Sequence, residues 1–160
     1  MLLTSVEENL KTIPPGRILG VDYGKTRIGL SLSDPMQIMA SSLKTIVHAK
    51  SAAAVQELAE LVKEKQIIAM VLGRPVHMTG ETSDMATQVE SFADLLSQHI
   101  DIPIFYWDER WTTVSAEKLM QEMGYSPSRQ RHKIDQVAAS FLLQNFLDRL
   151  ASARHQHPIQ

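Results

Sequence analysis

The sequence predicts an α/β domain built on a mixed five-stranded sheet, an antiparallel three-strand meander continued by two parallel strands, with helices on both faces. Three observations point to it. Arg17-Ile-Leu-Gly-Val-Asp22 and Ile67 to Leu72 are near-continuous apolar runs, the pattern of strands buried on both faces. Ile28, Leu30 and Leu32 alternate with Gly29, Ser31 and Ser33 directly after the turn residues Tyr23-Gly24-Lys25-Thr26, as in a hairpin. Beyond residue 50 the apolar residues change to helical spacing and alternate with short apolar runs, so the later strands join the sheet by right-handed crossovers.

Each element has its own reason. The first strand follows the Pro14-Pro15-Gly16 break and ends on Asp22. The hairpin partner ends at Asp34-Pro35, and a third strand is expected within Ser42 to Val47. Ser51 opens a helix with Val55, Leu58, Ala59 and Val62 on one face. Ile67 to Leu72 then gives the fourth strand, and Gly73-Arg74-Pro75 leads into a polar loop, His77-Met-Thr-Gly-Glu81. Thr82 or Ser83 caps a helix striped by Val89, Phe92, Ala93 and Leu96. Pro103 to Trp107 is the fifth strand. A helix capped at Thr112-Thr113 carries Val114, Leu119 and Met123 and is stopped by Gly124 and Pro127. In the last helix Ile134, Val137, Ala138, Phe141 and Leu142 share a face. This divides the chain into an extension over 1–15, one domain over 16–150 and a flexible tail over 151–160 that lacks the helical pattern.

Composition narrows the chemistry. With 160 residues, 44% of them hydrophobic, the chain can fill one core without covalent staples. It has no cysteine, which excludes disulfides, thiolate metal sites and a cysteine nucleophile. Its six histidines form no His-Glu-x-x-His run. The longest apolar run is far below the roughly 18 residues of a membrane span, and the first fifteen residues lack the charged and apolar regions of a secretory signal. A cytoplasmic location and no membrane partner are expected. A net charge of −2 supplies no global field for a polyanion, so nucleic acid would need a local basic patch.

Ligands of such sheets gather beyond the carboxyl ends of the parallel strands. Asp22 ends the first strand, Glu109 follows the fifth, and Asp135 opens the last helix. A cluster of carboxylates favours a hard cation such as Mg2+ or Mn2+. Two such ions activate water and clamp a phosphodiester for in-line attack. Taken singly, each acid has an ordinary reading: Asp22-x-Gly24 suits a hairpin turn, while Glu109 and Asp135 suit the positive end of a helix dipole.

The blocks Gly20-Val-Asp22-Tyr-Gly24-Lys25-Thr26-Arg27-Ile-Gly29, Gly73-Arg-Pro75, Asp108-Glu109-Arg110-Trp-Thr112-Thr113 and Ile134-Asp135-x-x-Ala138-Ala139 resemble, in order, those of the bacterial YqgF family. That resemblance covers roughly residues 16–150. It implies an RNase-H-like fold and a divalent-metal-dependent nuclease, in which Asp22, Glu109 and Asp135 are the catalytic acids and the ligands of Mg2+ or Mn2+, two ions together. It implies processing of the 5′ end of pre-16S rRNA, with resolution of Holliday junctions as the alternative. Two blocks depart from the pattern: Gly73-Arg74-Pro75 stands for Gly-Leu-Pro, and His77-Met-Thr79-Gly80 for Asn-x-Asp-Gly. Both departures bear on how a substrate backbone is held.

For phosphate contact the candidates are Lys25, Arg27, Arg74 and Arg110 beside the acids, and Arg129, Arg131, His132 and Lys133 in the dense basic run before Asp135. The preferred partner is an RNA precursor, with branched DNA as the alternative. Two other functions compete. Asp22-x-Gly24-x-Thr26 also resembles the first phosphate loop of actin-like ATPases, but those pair two such domains and this chain has no second copy of the motif. A noncatalytic RNA or ribosome-assembly module with relic acids would share the fold.

Overall fold

Arg17–Tyr23 forms the strand around which the sheet is built, buried on both faces along most of its length. A computed structural model of the chain describes residues 2–3, 10–24, 26–47, 51–74, 84–108, 121–122, 124 and 131–155, with Leu2, Leu3, Lys11, Arg74, Asp84, Met85, Asp108, Arg131 and His132 described by backbone alone. The elements in order are β1 (Leu2–Leu3), a 3-10 turn (Leu10–Thr12), β2 (Arg17–Tyr23), β3 (Arg27–Ser33), β4 (Ala40–Val47), α1 (Ser51–Lys65), β5 (Ile67–Arg74), α2 (Asp84–His99), β6 (Ile104–Asp108) and α3 (Arg131–His155). Strand order is β1-β6-β5-β2-β3-β4. The β2–β3–β4 meander is antiparallel, and β5 and β6 join β2 in parallel.

The five expected strands are all present, and β1 adds a sixth at the edge by pairing Leu2 and Leu3 in parallel with Ile104 and Phe105. Two residues are too few to carry a period, so nothing in the sequence marked this strand. Of the helix expected from Thr112 to Met123, Gln121 and Glu122 are described and helical. The remainder lies outside the described residues, as do Thr82 and Ser83.

Alternation along the strands sends the apolar side chains to two separate cores. Leu19, Val21, Leu30, Met70 and Leu72 pack with Val55 and Leu58 of α1 and Phe92 and Leu96 of α2. Ile18, Ala69, Val71 and Phe105 pack under α3 against Leu142, Leu143, Phe146 and Leu150. Phe146 is the centre of this second layer: its ring lies 5.6 Å from Phe105 and meets Trp107 edge-on at 5.5 Å, a favoured aromatic geometry. α1 ends where Gln66 turns left-handed at φ 54°, a role usually taken by glycine.

Two expectations about α3 need correction. Its buried stripe runs through Ile134, Ala138, Ala139, Leu142, Leu143, Phe146 and Leu147. Val137 and Phe141, expected on that face, are half-buried. The stripe is rotated toward Ala139 and Leu143 because the strands beneath carry glycine and serine, so small residues set how the helix seats. The helix also continues past residue 150. Ala153 is buried, and Arg154 donates to the Ile13 carbonyl at 3.2 Å and to Gln37 Oε1 at 2.9 Å. These ties come from single residues and leave no periodic trace. Residues Leu10 and Ile13 of the expected extension are likewise buried beneath α3.

Candidate active site

Asp22 is the sixth of the seven residues of β2, and its α-carbon is paired with that of Gly29 across the antiparallel ladder. Directly opposed residues project to the same face of a sheet. One face therefore carries Ile18, Gly20 and Asp22 from β2 and Gly29, Ser31 and Ser33 from β3. It is the face that α3 covers. Ser31 is fully buried and donates its hydroxyl to the Ala139 carbonyl at 2.7 Å. A Cβ at Gly29 would overlap the backbone carbonyl of Asp135, and one at Gly20 would meet Ser31 Oγ and, at 2.9 Å, Leu143 Cβ. The absent side chains let the first turns of α3 settle directly on the strands, with Asp135 beside the end of β2.

Asp22 and Asp135, at opposite ends of the sequence motifs, are thus brought to one face at the carboxyl end of the central strand. Both are half-buried. Asp135 has a partner: Arg27, the first residue of β3, donates from Nε to Oδ2 at 2.6 Å, with the two side chains 29% and 22% exposed. A second tie fixes the helix start, as Gln136 donates to Thr45 Oγ1 of β4 at 3.2 Å. The sequence reading gave Arg27 to a substrate phosphate and Asp135 to a cation; the fold joins the two to each other.

The other expected site residues are placed as follows. Arg74 ends β5 with its backbone opposite Asp108 of β6. Arg131 and His132 are the first two residues of α3, and Lys133 is exposed on its first turn. Glu109, Lys25, Arg110 and Arg129 lie outside the described residues. Among the described residues no three His, Asp or Glu side chains gather as a metal site. Ser31 and Gly20 were missed as site-building residues. For Ser31 the signal was present in the small residues alternating along β3, but it resembles that of a solvent-facing side; Gly20 is one small residue in an otherwise apolar run.

The family model described as "RuvX: Holliday junction resolvase" matches residues 16–149. The chain belongs to the RuvX family. Among the relatives of this RuvX chain, a protein of Roseiflexus sp. (strain RS-1) is 45% identical over 84% of this chain and 95% of its own length. One of Acetivibrio thermocellus is 40% identical over 82% and 95%. Both carry the name "Putative pre-16S rRNA nuclease". Among solved structures, Thermus thermophilus RuvC in complex with a Holliday junction substrate aligns at a TM-score of 0.55, with 14% identity over 86% of this chain and 97% of that one. Fowlpox virus resolvase with Holliday junction DNA aligns at 0.51, with 11% identity over 84% and 98%. The RuvX chain shares their fold.

The donor chemistry of the RuvX acids suits a hard divalent cation. Asp22 and Asp135 offer carboxylate oxygens, and Mg2+ binds through one or two carboxylates plus water and phosphate oxygens. The pair stands at the carboxyl end of β2, the edge at which ligands of such sheets gather.

Proposed function

We propose that this RuvX-family chain is a metal-dependent nuclease that hydrolyses phosphodiester bonds in the 5′ region of pre-16S rRNA, in the cytoplasm. The observation that carries this reading is the placing of Asp22 and Asp135 on one face at the end of β2. The names of the relatives supply the substrate. Asp22, Asp135 and Glu109 would hold Mg2+ or Mn2+, two ions in all. When bound, the metal supplies Lewis acidity and a nucleophilic water at neutral pH.

The chain's own residues do the rest. The two strands and α3 fix the carboxylates before substrate arrives, so little reorganisation is needed at the moment of reaction. Lys133 on the first turn of α3, with Arg131 and His132 beside it in sequence, would lead the phosphate backbone toward Asp135. Lys25, Arg74, Arg110 and Arg129 would extend that path. Most of this contact is to phosphate and carries no sequence information, so selectivity would come from RNA shape and single-stranded segments.

The test is cleavage of a labelled pre-16S 5′ leader and of a four-way DNA junction, by wild type, Asp22→Asn and Asp135→Asn, in Mg2+, Mn2+ or chelator. Cutting of the leader by wild type alone, and only with metal, is expected. Cutting of the junction alone would transfer the activity to branched DNA. If neither substrate is cut while folded wild type still binds RNA, the chain is a binding module.

A further inference from the structure

We propose that Arg27 is a positioning residue that occupies Asp135 before the divalent cation binds, and that the cation displaces its guanidinium, which then turns to a substrate phosphate. The inference rests on the metal-dependent reading given above. Its basis is the 2.6 Å bond from Arg27 Nε to Asp135 Oδ2 on the face that Asp22 shares.

Two carboxylates on one face repel each other when nothing positive lies nearby. A guanidinium on Asp135 relieves that repulsion in the cation-free protein. The pair is also easy to part. Both side chains keep more than a fifth of their surface in solvent, where ion pairs hold weakly, whereas a divalent ion brings twice the charge and tolerates the water that remains. Among the described residues Asp135 is the side-chain partner of Arg27, and the Arg27 backbone stays anchored by its ladder partner Val47 and by its carbonyl, which accepts from the Gly24 amide at 2.8 Å.

Arginine suits the second half of the exchange. Its planar fork binds phosphate oxygens in pairs and stays charged at any working pH. Released from Asp135, it remains at the same strand end, within side-chain reach of any phosphodiester held by the acids. Binding of the cation and capture of the phosphate are then coupled, since each removes the competitor of the other. A purely structural ion pair would persist when the cation arrives, and the two cases differ in a spectroscopic signal.

The experiment is a Mg2+ titration of the full chain without nucleic acid, followed in 15N–1H spectra. The Nε–Hε resonance of Arg27, identified by its loss in Arg27→Lys, reports the bond. The backbone amides of Asp22 and Asp135 report the cation. The expected result is that the Arg27 resonance moves to its solvent-exposed position with the same midpoint as the two amides. Arg27→Gln, checked as folded by its backbone spectrum, should bind Mg2+ about two- to fivefold more tightly, the fold-change corresponding to loss of a weak competing ion pair. An Arg27 resonance that stays still while the amides shift overturns the exchange and leaves the metal site standing. Amides that do not shift overturn the metal reading, and the exchange with it.

Discussion

Gly29 lies so close beneath the backbone carbonyl of Asp135 that no Cβ fits between the strand and the helix. The contact ties the candidate site to packing, because Gly29 is also the ladder partner of Asp22. Gly29→Ala would force α3 away from β3. A loss of about 1–3 kcal/mol is expected from overpacking, measured by urea unfolding. Cleavage should fall further than stability alone explains, since Asp135 moves with the helix. Gly29→Ala with unchanged stability and activity would refute this seating of α3.

Asp34 is expected to contribute to acid sensitivity. Its Oδ1 accepts from the amides of Met39 and Ile38, each at 2.8 Å, and its Oδ2 from that of Met36 at 3.1 Å. These bonds, that to Met39 foremost, hold the carboxyl below its ordinary value of 3.8. A carboxylate with a depressed folded pKa contributes fully above its unfolded pKa, near 4, and loses that contribution as the pH falls through the folded value. Asp34→Ala should cost about 1 kcal/mol at pH 7. The gap from wild type in thermal melts should narrow as the pH drops from about 5 toward 2; a constant gap would contradict the role given to the charge.

The layer under α3 depends on one ring. Phe146 is fully buried between Phe105 and Trp107. Phe146→Ala is expected to cost about 3–5 kcal/mol, with Phe146→Leu cheaper because it leaves a smaller cavity. Chemical denaturation of both variants gives the ordering, and equal costs would place the ring outside the core.

The end of α3 is expected to matter although its sequence looks like a tail. Arg154→Ala removes bonds to Ile13 and Gln37, and Gln37 in turn donates to the Pro14 and Gly16 carbonyls at 2.8 and 2.9 Å. About 1 kcal/mol should be lost, together with faster amide exchange at Gly16, whose N–H donates to Pro35 at 3.1 Å. Exchange unchanged at Gly16 would show that the junction holds without the arginine.

The parts of this molecule that depend on local pattern were readable in the chain. Val89, Phe92, Ala93 and Leu96 bury as their spacing requires, and the apolar runs at 17–22 and 67–72 became central strands. Asp22 and Asp135 stood out because strand ends and helix starts are visible in sequence. What escaped depends on which surfaces meet. The partnership of Arg27 with Asp135 spans 108 residues, and no local spacing encodes it. Ser31 looked like the wet side of a hairpin, since a small residue under a helix and a small residue in water leave the same alternation.

The long reach of α3 also orders events in time. The Arg27–Asp135 and Ser31–Ala139 bonds each close a separation of 108 residues, and contacts of that range form late in folding. While the chain is still emerging from a ribosome, β2 and β3 can pair but have no helix to cover them. Both acids therefore share a face only once α3 has been made, so a chain that stops short of that helix carries Asp22 without Asp135 beside it.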